Sequence, residues 1–507
     1  MKHFAALLAI AVTAGCAGQS IPARPSTAAL RASAQDDTAR STAPTIVLDA
    51  KSSGPVVSAD VYGASLDTWY DFVQPFVDPS LHQTGIHLVR FPGGSESDVY
   101  HWENGGTLCD PNMGYITPES TFEHLMQKVA GPLAIDIAIT MNYGSNRTCD
   151  GGGDPNEAGA WVAYAKSHGY RVPFWTVGNE VYGSWEYDLH ARKHDPHTYA
   201  AAVRTGFYPA VKAADPSAML GVVGDFDQPG TSKWNSIVFR EAAPFDFVEI
   251  HYYPQYNVDS DSYLLGKAID IFATSLAGVR AQMNAAGLKP TMPIYLGEYN
   301  NDAGNEGKQS VSIVNGLFVG QMLGTMMNAG VPMSTFWLAY GSCNQNGDNS
   351  STLYGWQQFG SEALFSDGLP IPNSGCANTP KIPGGTPFPT ARVMELFART
   401  VPAGSMVRTI AVPASLRAAV RAYGFAQGNG YAVVAFNNTL TAVGITAEVK
   451  NAAARTYQGT LWTYGKAQYD FSRQNRWVGP VNQNLGSVSS HVPLTLQPYS
   501  MTVLVLK

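Results

Sequence analysis

The chain has 507 residues, more than one hydrophobic core usually organises, so a large domain with a smaller companion is expected. Charged residues make up 14%, the net charge is -7 and no basic run occurs, which argues against a nucleic-acid partner. Gly (50), Tyr (25) and Trp (10) are plentiful, the profile of an exported enzyme with long loops and not of a disordered or coiled-coil chain.

Residues 1–18 read as an export signal. Lys2 supplies the positive start, and Phe4 to Ala14 form an apolar segment too short to span a bilayer permanently. Thr13-Ala14-Gly15-Cys16 resembles a bacterial lipoprotein box, so a lipid anchor at Cys16 and plain secretion are both compatible. Either places the mature chain outside the cytoplasm, as a periplasmic, outer-membrane-anchored or extracellular protein. Residues 19–44 are rich in Ala, Ser, Thr, Pro and Arg without periodicity and read as a flexible tether. Order is expected from Thr45-Ile46-Val47-Leu48, with the strands of 45–60 joining a C-terminal sandwich.

Over 61–400, short apolar runs alternate with longer amphipathic segments. The runs are Val61 to Leu66, His87 to Phe91, Ala134 to Met141, Phe174 to Val177, Met219 to Val223, Phe245 to Ile250, Ile294 to Gly297 and Thr335 to Ala339. Helical candidates between them include Glu119 to Ala130, Pro155 to His168, His197 to Ala214, Tyr263 to Ala286 and Gln309 to Ala329. This α/β alternation predicts a (β/α)8 TIM barrel, with an open doubly wound sheet as the alternative. The eighth helix candidate, Thr390 to Arg399, waits behind a Gly/Asn/Ser/Pro-rich loop from Gly341 to Pro389. Beyond 401 the pattern turns to alternating strands, among them Tyr431 to Phe436, Gly444 to Val449 and Ser500 to Leu506, which predict a β-sandwich over 401–507.

Four cysteines remain after Cys16, and an oxidising compartment favours pairing them. Cys109 and Cys149 fall just after two neighbouring predicted strands, and Cys343 and Cys376 share one long loop, so these two disulfides are expected. Zinc is the alternative, but no pair has C-x-x-C spacing, and no metal is expected.

Two strand ends carry the chemistry. Phe174-Trp175-Thr176-Val177-Gly178-Asn179-Glu180 and Pro293-Ile294-Tyr295-Leu296-Gly297-Glu298 are apolar runs that each end in a carboxylate beside a Gly. Such strands are buried on both faces, and the working groups of a barrel lie at their carboxyl ends. Paired carboxylates on separate strands are what a glycosidase needs to break an acetal. Asn179 can donate its amide to a sugar hydroxyl, and His251 and Tyr253 point to one side of the sixth strand by alternation. Tyr253 can donate its hydroxyl to the nucleophile, and Trp337 offers a flat face for stacking a sugar. The metallohydrolase alternative lacks an H-E-x-x-H pattern, since His190 to His194 has no intervening Glu.

Arg90-Phe91-Pro92-Gly93-Gly94 with Asp98-Val99-Tyr100-His101-Trp102 resembles the signature after the second strand in family 51 α-L-arabinofuranosidases. Met141-Asn142-Tyr143-Gly144 and Val177-Gly178-Asn179-Glu180 with Tyr182-Gly183 are similar to that family's third and fourth strands, and the likeness runs from about Val61 to Tyr340. Asn-Glu at the fourth strand and Glu at the seventh are shared across clan A of retaining glycosidases. The resemblance implies Glu298 as nucleophile and Glu180 as general acid/base. Arg90, also at a strand end, is expected to supply the positive field that keeps Glu298 ionised, and Arg90, Asp67, Trp102 and Asn142 join the candidate substrate-binding residues. It also implies an oligo- or polysaccharide substrate and no cofactor. Burial and the neighbouring Glu298 are expected to raise the Glu180 pKa so that it holds a proton. Two departures fall where the terminal sugar sits. Ser65-Leu66-Asp67-Thr68-Trp69 replaces a family Glu, and Glu298-Tyr299-Asn300-Asn301 replaces an Asn/Trp-containing run. An exo-acting arabinofuranosidase is expected, with an endo-acting β-glucanase or xylanase of the clan and a non-catalytic carbohydrate-binding protein as alternatives.

Overall fold

The computed structural model describes residues 43–226, 233–256, 260–304, 306–343, 360–370, 382–452 and 456–507. The expected export signal with Cys16, nearly all of the tether, and Cys376 lie outside these residues. From Pro44 onward the chain forms one compact unit.

Eight parallel strands form one sheet in chain order: Gly63–Ser65, Leu88–Phe91, Asp136–Met141, Phe174–Val177, Met219–Val223, Phe247–Tyr252, Ile294–Tyr299 and Met333–Ser334. A parallel bridge between Ala64 and Phe336 joins the last to the first and closes the barrel. Every strand residue except Met219 is buried, because inward side chains fill the barrel and outward ones meet the helices. The eighth strand differs from expectation. Ladder pairing is confined to Met333–Ser334, and the Thr335–Ala339 run closes the barrel through single backbone bonds. Phe336 donates to the Gly63 carbonyl at 2.9 Å, and Ser65 donates to that of Phe336 at 3.0 Å. The chain leaves the ladder here because Trp337 turns toward the barrel mouth, its amide bonded to the Tyr299 carbonyl at 3.2 Å.

The expected helices appear as Pro155–Ser167, Pro196–Ala202 continuing to Ala214, Tyr263–Lys267 continuing to Ala285, Ile313–Ala329 and Pro389–Thr400. Asp154 and Asp195 cap the first two, each followed by Pro in the first turn. Helices Val77–Thr84 and Trp234–Glu241 had no sequence expectation, since eight residues give too little periodicity to read. Among the described residues no helix is long and apolar enough to cross a membrane.

Two further sheets pack as a sandwich. One orders Ile410–Ala411, Thr45–Asp49, Val443–Lys450 and His491–Leu496. The other orders Met406–Arg408, Val420–Gln427, Gly430–Asn437, Ser500–Leu506, Thr456–Gly465 and Val481–Ser489. Leu48, Val433, Val449, Val492 and Leu504 fill the space between them. The helix Ile313–Ala329 is apolar nearly all round because the sandwich covers its outer face. Gly320 and Gly324 permit that approach, as a side chain there would meet Phe436 at 2.6 Å or Tyr423 at 2.5 Å. Within the long loop, Tyr340–Cys343 pairs in parallel with Phe365–Pro370, a small sheet that its composition did not announce.

Candidate active site

The carboxyl ends of the strands gather one charged cluster around Arg90, which is 0% exposed at the end of the second strand. Its guanidinium donates to three acceptors from three strands: Glu298 Oε1 at 2.7 Å, Glu249 Oε1 at 3.1 Å and Asn179 Oδ1 at 2.7 Å. A rigid fork suits this, since one cation can fix three side chains at defined angles. Buried ion pairs of this kind hold geometry more than they add stability.

His251 forms the second hub. Its Nδ1 lies 3.0 Å from Glu180 Oε1 and 3.6 Å from Glu298 Oε2, and its Nε2 lies 3.2 Å from Glu249 Oε1. Burial works against charge on this ring, but the Glu298 charge and the bonds to Glu180 and Glu249 outweigh it and push the pKa up to about 10. His251 is therefore an imidazolium at neutral pH, donating from both nitrogens. The two contacts through Nδ1, laid end to end, limit the separation of Glu180 Oε1 from Glu298 Oε2 to about 6.6 Å.

Tyr253 donates its hydroxyl to Glu298 Oε2 at 2.7 Å. Burial and then the Glu298 charge raise its phenol well above 10, so it remains a donor at all working pH values. Glu298 thus receives Arg90 on one oxygen and Tyr253 on the other. Glu180 sits in a left-handed turn at φ 38° after Gly178 at φ 75°, and accepts from Tyr182 at 3.1 Å and Trp185 at 2.9 Å as well as His251. This overturns the expected raised acid. Burial does push Glu180 up, but the bond and charge of His251, then the Trp185 and Tyr182 bonds, hold it below the usual carboxylate range.

The remaining expected residues divide. Asn179 is shared, its carbonyl held by Arg90 and its amide donating to Glu186 at 2.9 Å, which leaves one N–H for a ligand. Trp337 flanks the cluster, with its indole on Glu362 at 3.1 Å and its ring edge-on to Trp69 at 6.2 Å. Gly94 makes room between Trp337 and Glu298, where a side chain would lie 3.1 Å from one and 3.3 Å from the other. Asp67 is buried beside Gly93 and Glu96, and burial followed by the Glu96 charge raises its carboxyl well above the usual range. Trp102 and Asn142 lie apart from the Arg90 and His251 hubs in local contacts. Trp102 stacks on Trp161 at 5.8 Å, and Asn142 bonds the Tyr100 carbonyl and Ser145, each at 3.0 Å.

The cluster also holds residues that sequence reading missed. Glu249 was detectable, as a carboxylate two places before His251 in an otherwise apolar strand and so on the same face. Trp185 and Glu186 lie in a loop with no periodic signal; Glu96 follows the glycines of the signature after the second strand, and Asp98 belongs to that signature without a role assigned to it. Asp98 accepts from the backbone amides of Tyr143, Gly144 and Asn179, each at 3.2 Å, so it positions the turn before Glu180.

Cys109 and Cys149 form the expected disulfide. The expected partner of Cys343, Cys376, is outside the described residues. Among the described residues, His101, Cys109 and Cys149 are the one set of His, Cys, Asp and Glu side chains close enough to hold an ion, and there the two sulfurs are bonded to each other.

No family model matches the chain. It is 26% identical over 190 residues to a probable α-L-arabinofuranosidase C of Aspergillus terreus, covering 32% of this chain and 34% of that protein. It is 24% identical over 243 residues to an intracellular exo-α-(1→5)-L-arabinofuranosidase of Halalkalibacterium halodurans, covering 43% of this chain and 47% of that one. The chain thus spans between a third and a half of the length of these relatives. The solved α-L-arabinofuranosidase of Thermotoga maritima, in complex with arabinose, shares its fold with a TM-score of 0.68 at 17% identity, over 91% of this chain and 99% of that one.

Proposed function

We propose that the protein is a retaining glycoside hydrolase of arabinofuranosidase type, removing terminal sugars from polysaccharide side chains by double displacement. The observation that carries this is the single imidazole touching both Glu180 and Glu298. It keeps the two carboxylates within a span that suits direct handling of one anomeric centre, for which separations of about 5–5.5 Å are usual. The arabinofuranoside is the sugar named for both relatives.

Glu298 Oε2, aimed by Tyr253, attacks the anomeric carbon while Glu180 gives a proton to the departing oxygen. A glycosyl ester forms on Glu298 and the aglycone leaves. Water, deprotonated by Glu180, then attacks the same carbon and frees Glu298 with net retention. Arg90 holds the nucleophile, Glu249 and Asn179 in register through both steps. Asn179 has one N–H left for a sugar hydroxyl, and Trp337 with Trp69 forms an aromatic wall beside Glu298.

Glu298→Ala is expected to abolish turnover of an aryl α-L-arabinofuranoside, and azide is expected to restore it by forming the glycosyl azide of inverted configuration. Full activity in this variant removes Glu298 from the role. Glu180→Ala is expected to slow substrates with poor leaving groups far more than activated aryl glycosides; equal losses count against the acid assignment. The reading also places the mature enzyme outside the cytoplasm, with a lipid at Cys16 as one form. Incorporation of labelled palmitate that disappears in Cys16→Ala is the check on that form.

A further inference from the structure

We propose that His101, Cys109 and Cys149 form a second, redox-gated site, which binds a thiophilic divalent cation such as zinc when the disulfide is reduced. None of these side chains belongs to the Arg90 or His251 hub, so the site is independent of the sugar chemistry.

His101 points to the ligand. The ring is 5% exposed, and its Nδ1 donates to the two oxygens of Glu157 at 2.9 and 3.1 Å. Nε2 then carries the lone pair, and no hydrogen is directed at it. Cys109 Sγ lies 3.1 Å away, but a disulfide sulfur has no proton to give. The Ser145 hydroxyl lies 3.4 Å away and uses its one hydrogen on the Asp98 carbonyl at 3.0 Å. A buried imidazole nitrogen facing sulfur, with a carboxylate holding the other ring nitrogen, is the arrangement that metal-binding histidines adopt. Nε2 and the two sulfurs all lie within 4.8 Å of one another. A tetrahedral zinc ion, with bonds of about 2.3 Å to sulfur and about 2.0 Å to nitrogen, holds such a pair roughly 3.6 Å apart. His101 and Cys109 therefore need to part by only about 0.5 Å to share one.

The backbone keeps the ligands together once the disulfide opens. His101 and Cys109 belong to one hairpin, in which Tyr100–His101 pairs with Thr107–Leu108 and Cys109 donates its amide to the Val99 carbonyl at 2.9 Å. A closed turn presents Cys149. Its amide donates to the Asn146 carbonyl at 2.9 Å, and the Asn146 amide donates to that of Gly151 at 2.7 Å. Arg147 in this turn forks onto Glu103 beside the hairpin at 2.7 and 2.8 Å, a tie between the two loops that uses no sulfur. The same guanidinium reaches Glu157 at 3.5 Å, behind His101. Cys149 is exposed and Cys109 half-buried, so a soluble reductant meets Cys149 first.

The reductant is a dithiol. One of its thiolates attacks Cys149 Sγ to form a mixed disulfide, and the electron pair of the broken S–S bond leaves on Cys109. The second thiolate attacks the reductant's own sulfur in that mixed disulfide and frees Cys149 as a thiolate. The reductant ends as a disulfide, having given two electrons. Zinc then accepts one electron pair from each of Cys109, Cys149 and His101 Nε2, with water in the fourth position, and protons held by the thiols pass to solvent. Two thiolates and an imidazole suit zinc and disfavour calcium and magnesium, which take oxygen ligands. Disulfide and ion are thus alternative links between the same two loops.

The test uses the full-length chain with Cys16, Cys343 and Cys376 replaced by Ser, so that only Cys109 and Cys149 respond. It is reduced with a phosphine, freed of it and titrated with cobalt(II) without oxygen. One equivalent is expected to give a thiolate-to-cobalt charge-transfer band and visible bands of tetrahedral intensity, both bleached by zinc. The unreduced chain is expected to give neither. Glu157→Gln is expected to keep the spectrum and weaken zinc about 10- to 100-fold. His101→Ala, and His101→Gln with its bulk retained, are expected to shift the visible bands and lose more affinity than that. Zinc is expected to raise the Tm of the reduced chain and to leave that of the disulfide form unchanged. A reduced chain without the thiolate band overturns the proposal, as do bands and affinity that both His101 variants leave untouched. Glycoside hydrolysis enters none of these readouts, so their failure leaves the proposed function standing.

Discussion

Replacing His251 with Asn removes the imidazolium that lies between Glu180, Glu249 and Glu298. Asn is uncharged, shorter, and has one donor group where the ring has two. The folded pKa of about 10 against an ordinary 6.5 is a difference worth about 5 kcal/mol of folding free energy for the protonated site. The sign follows from proton binding. Above pH 6.5 the folded protein holds a proton that the unfolded chain has lost, so stability from this group is complete below about 6.5 and declines as pH rises through about 10. The slope is about 1.4 kcal/mol per pH unit for one proton. Urea unfolding of wild type and His251→Asn at half-unit steps from pH 6.5 to 10.5 measures it directly, since the difference between the two is expected to shrink over that window. A difference that stays constant with pH would refute the reasoning, because it would mean that the buried ring is neutral and that Glu180 has no cation beside it.

Tyr253→Phe takes one charge-assisted donor from Glu298, a loss of about 1.5–3 kcal/mol, so kcat/KM on an aryl glycoside is expected to fall roughly 10- to 150-fold with Tm little changed. Gly297→Ala would drive a methyl group onto the Glu249 carboxylate and lift it from Arg90 and His251. Calorimetry is expected to show a loss of about 1–3 kcal/mol, accompanied by a fall in kcat. Replacing both Cys109 and Cys149 with Ser opens a loop spanning a sequence separation of 40 residues, expected to lower unfolding free energy by about 4 kcal/mol in denaturant titrations.

The barrel was legible because its strands leave a physical trace. Runs buried on both faces must be apolar, and a carboxylate at the end of such a run needs a partner or a purpose. Seven of the eight runs overlap the observed strands, and the eighth is displaced because closure needs two ladder residues and then a turn that carries Trp337 outward. His251 and Tyr253 could be placed on one face by alternation alone. Trp102 shows the limit of this reasoning. It shares a motif with Arg90, yet Trp161, 59 positions later, claims its ring.

The state of Glu180 was the larger miss. Two carboxylates read as neighbours imply repulsion and a raised acid, and the sequence offered no reason to think otherwise. The outcome depends on where three donors point, and those donors come from the sixth strand and from a loop with no periodic signal. Residue identity and spacing determined the barrel, the two glutamates and the Cys109–Cys149 link, since burial and strand alternation act within a few residues along the chain. Protonation, and with it the resting state of the acid, was decided only by the folded protein, because electrostatic energies follow distances between strands that are far apart in sequence.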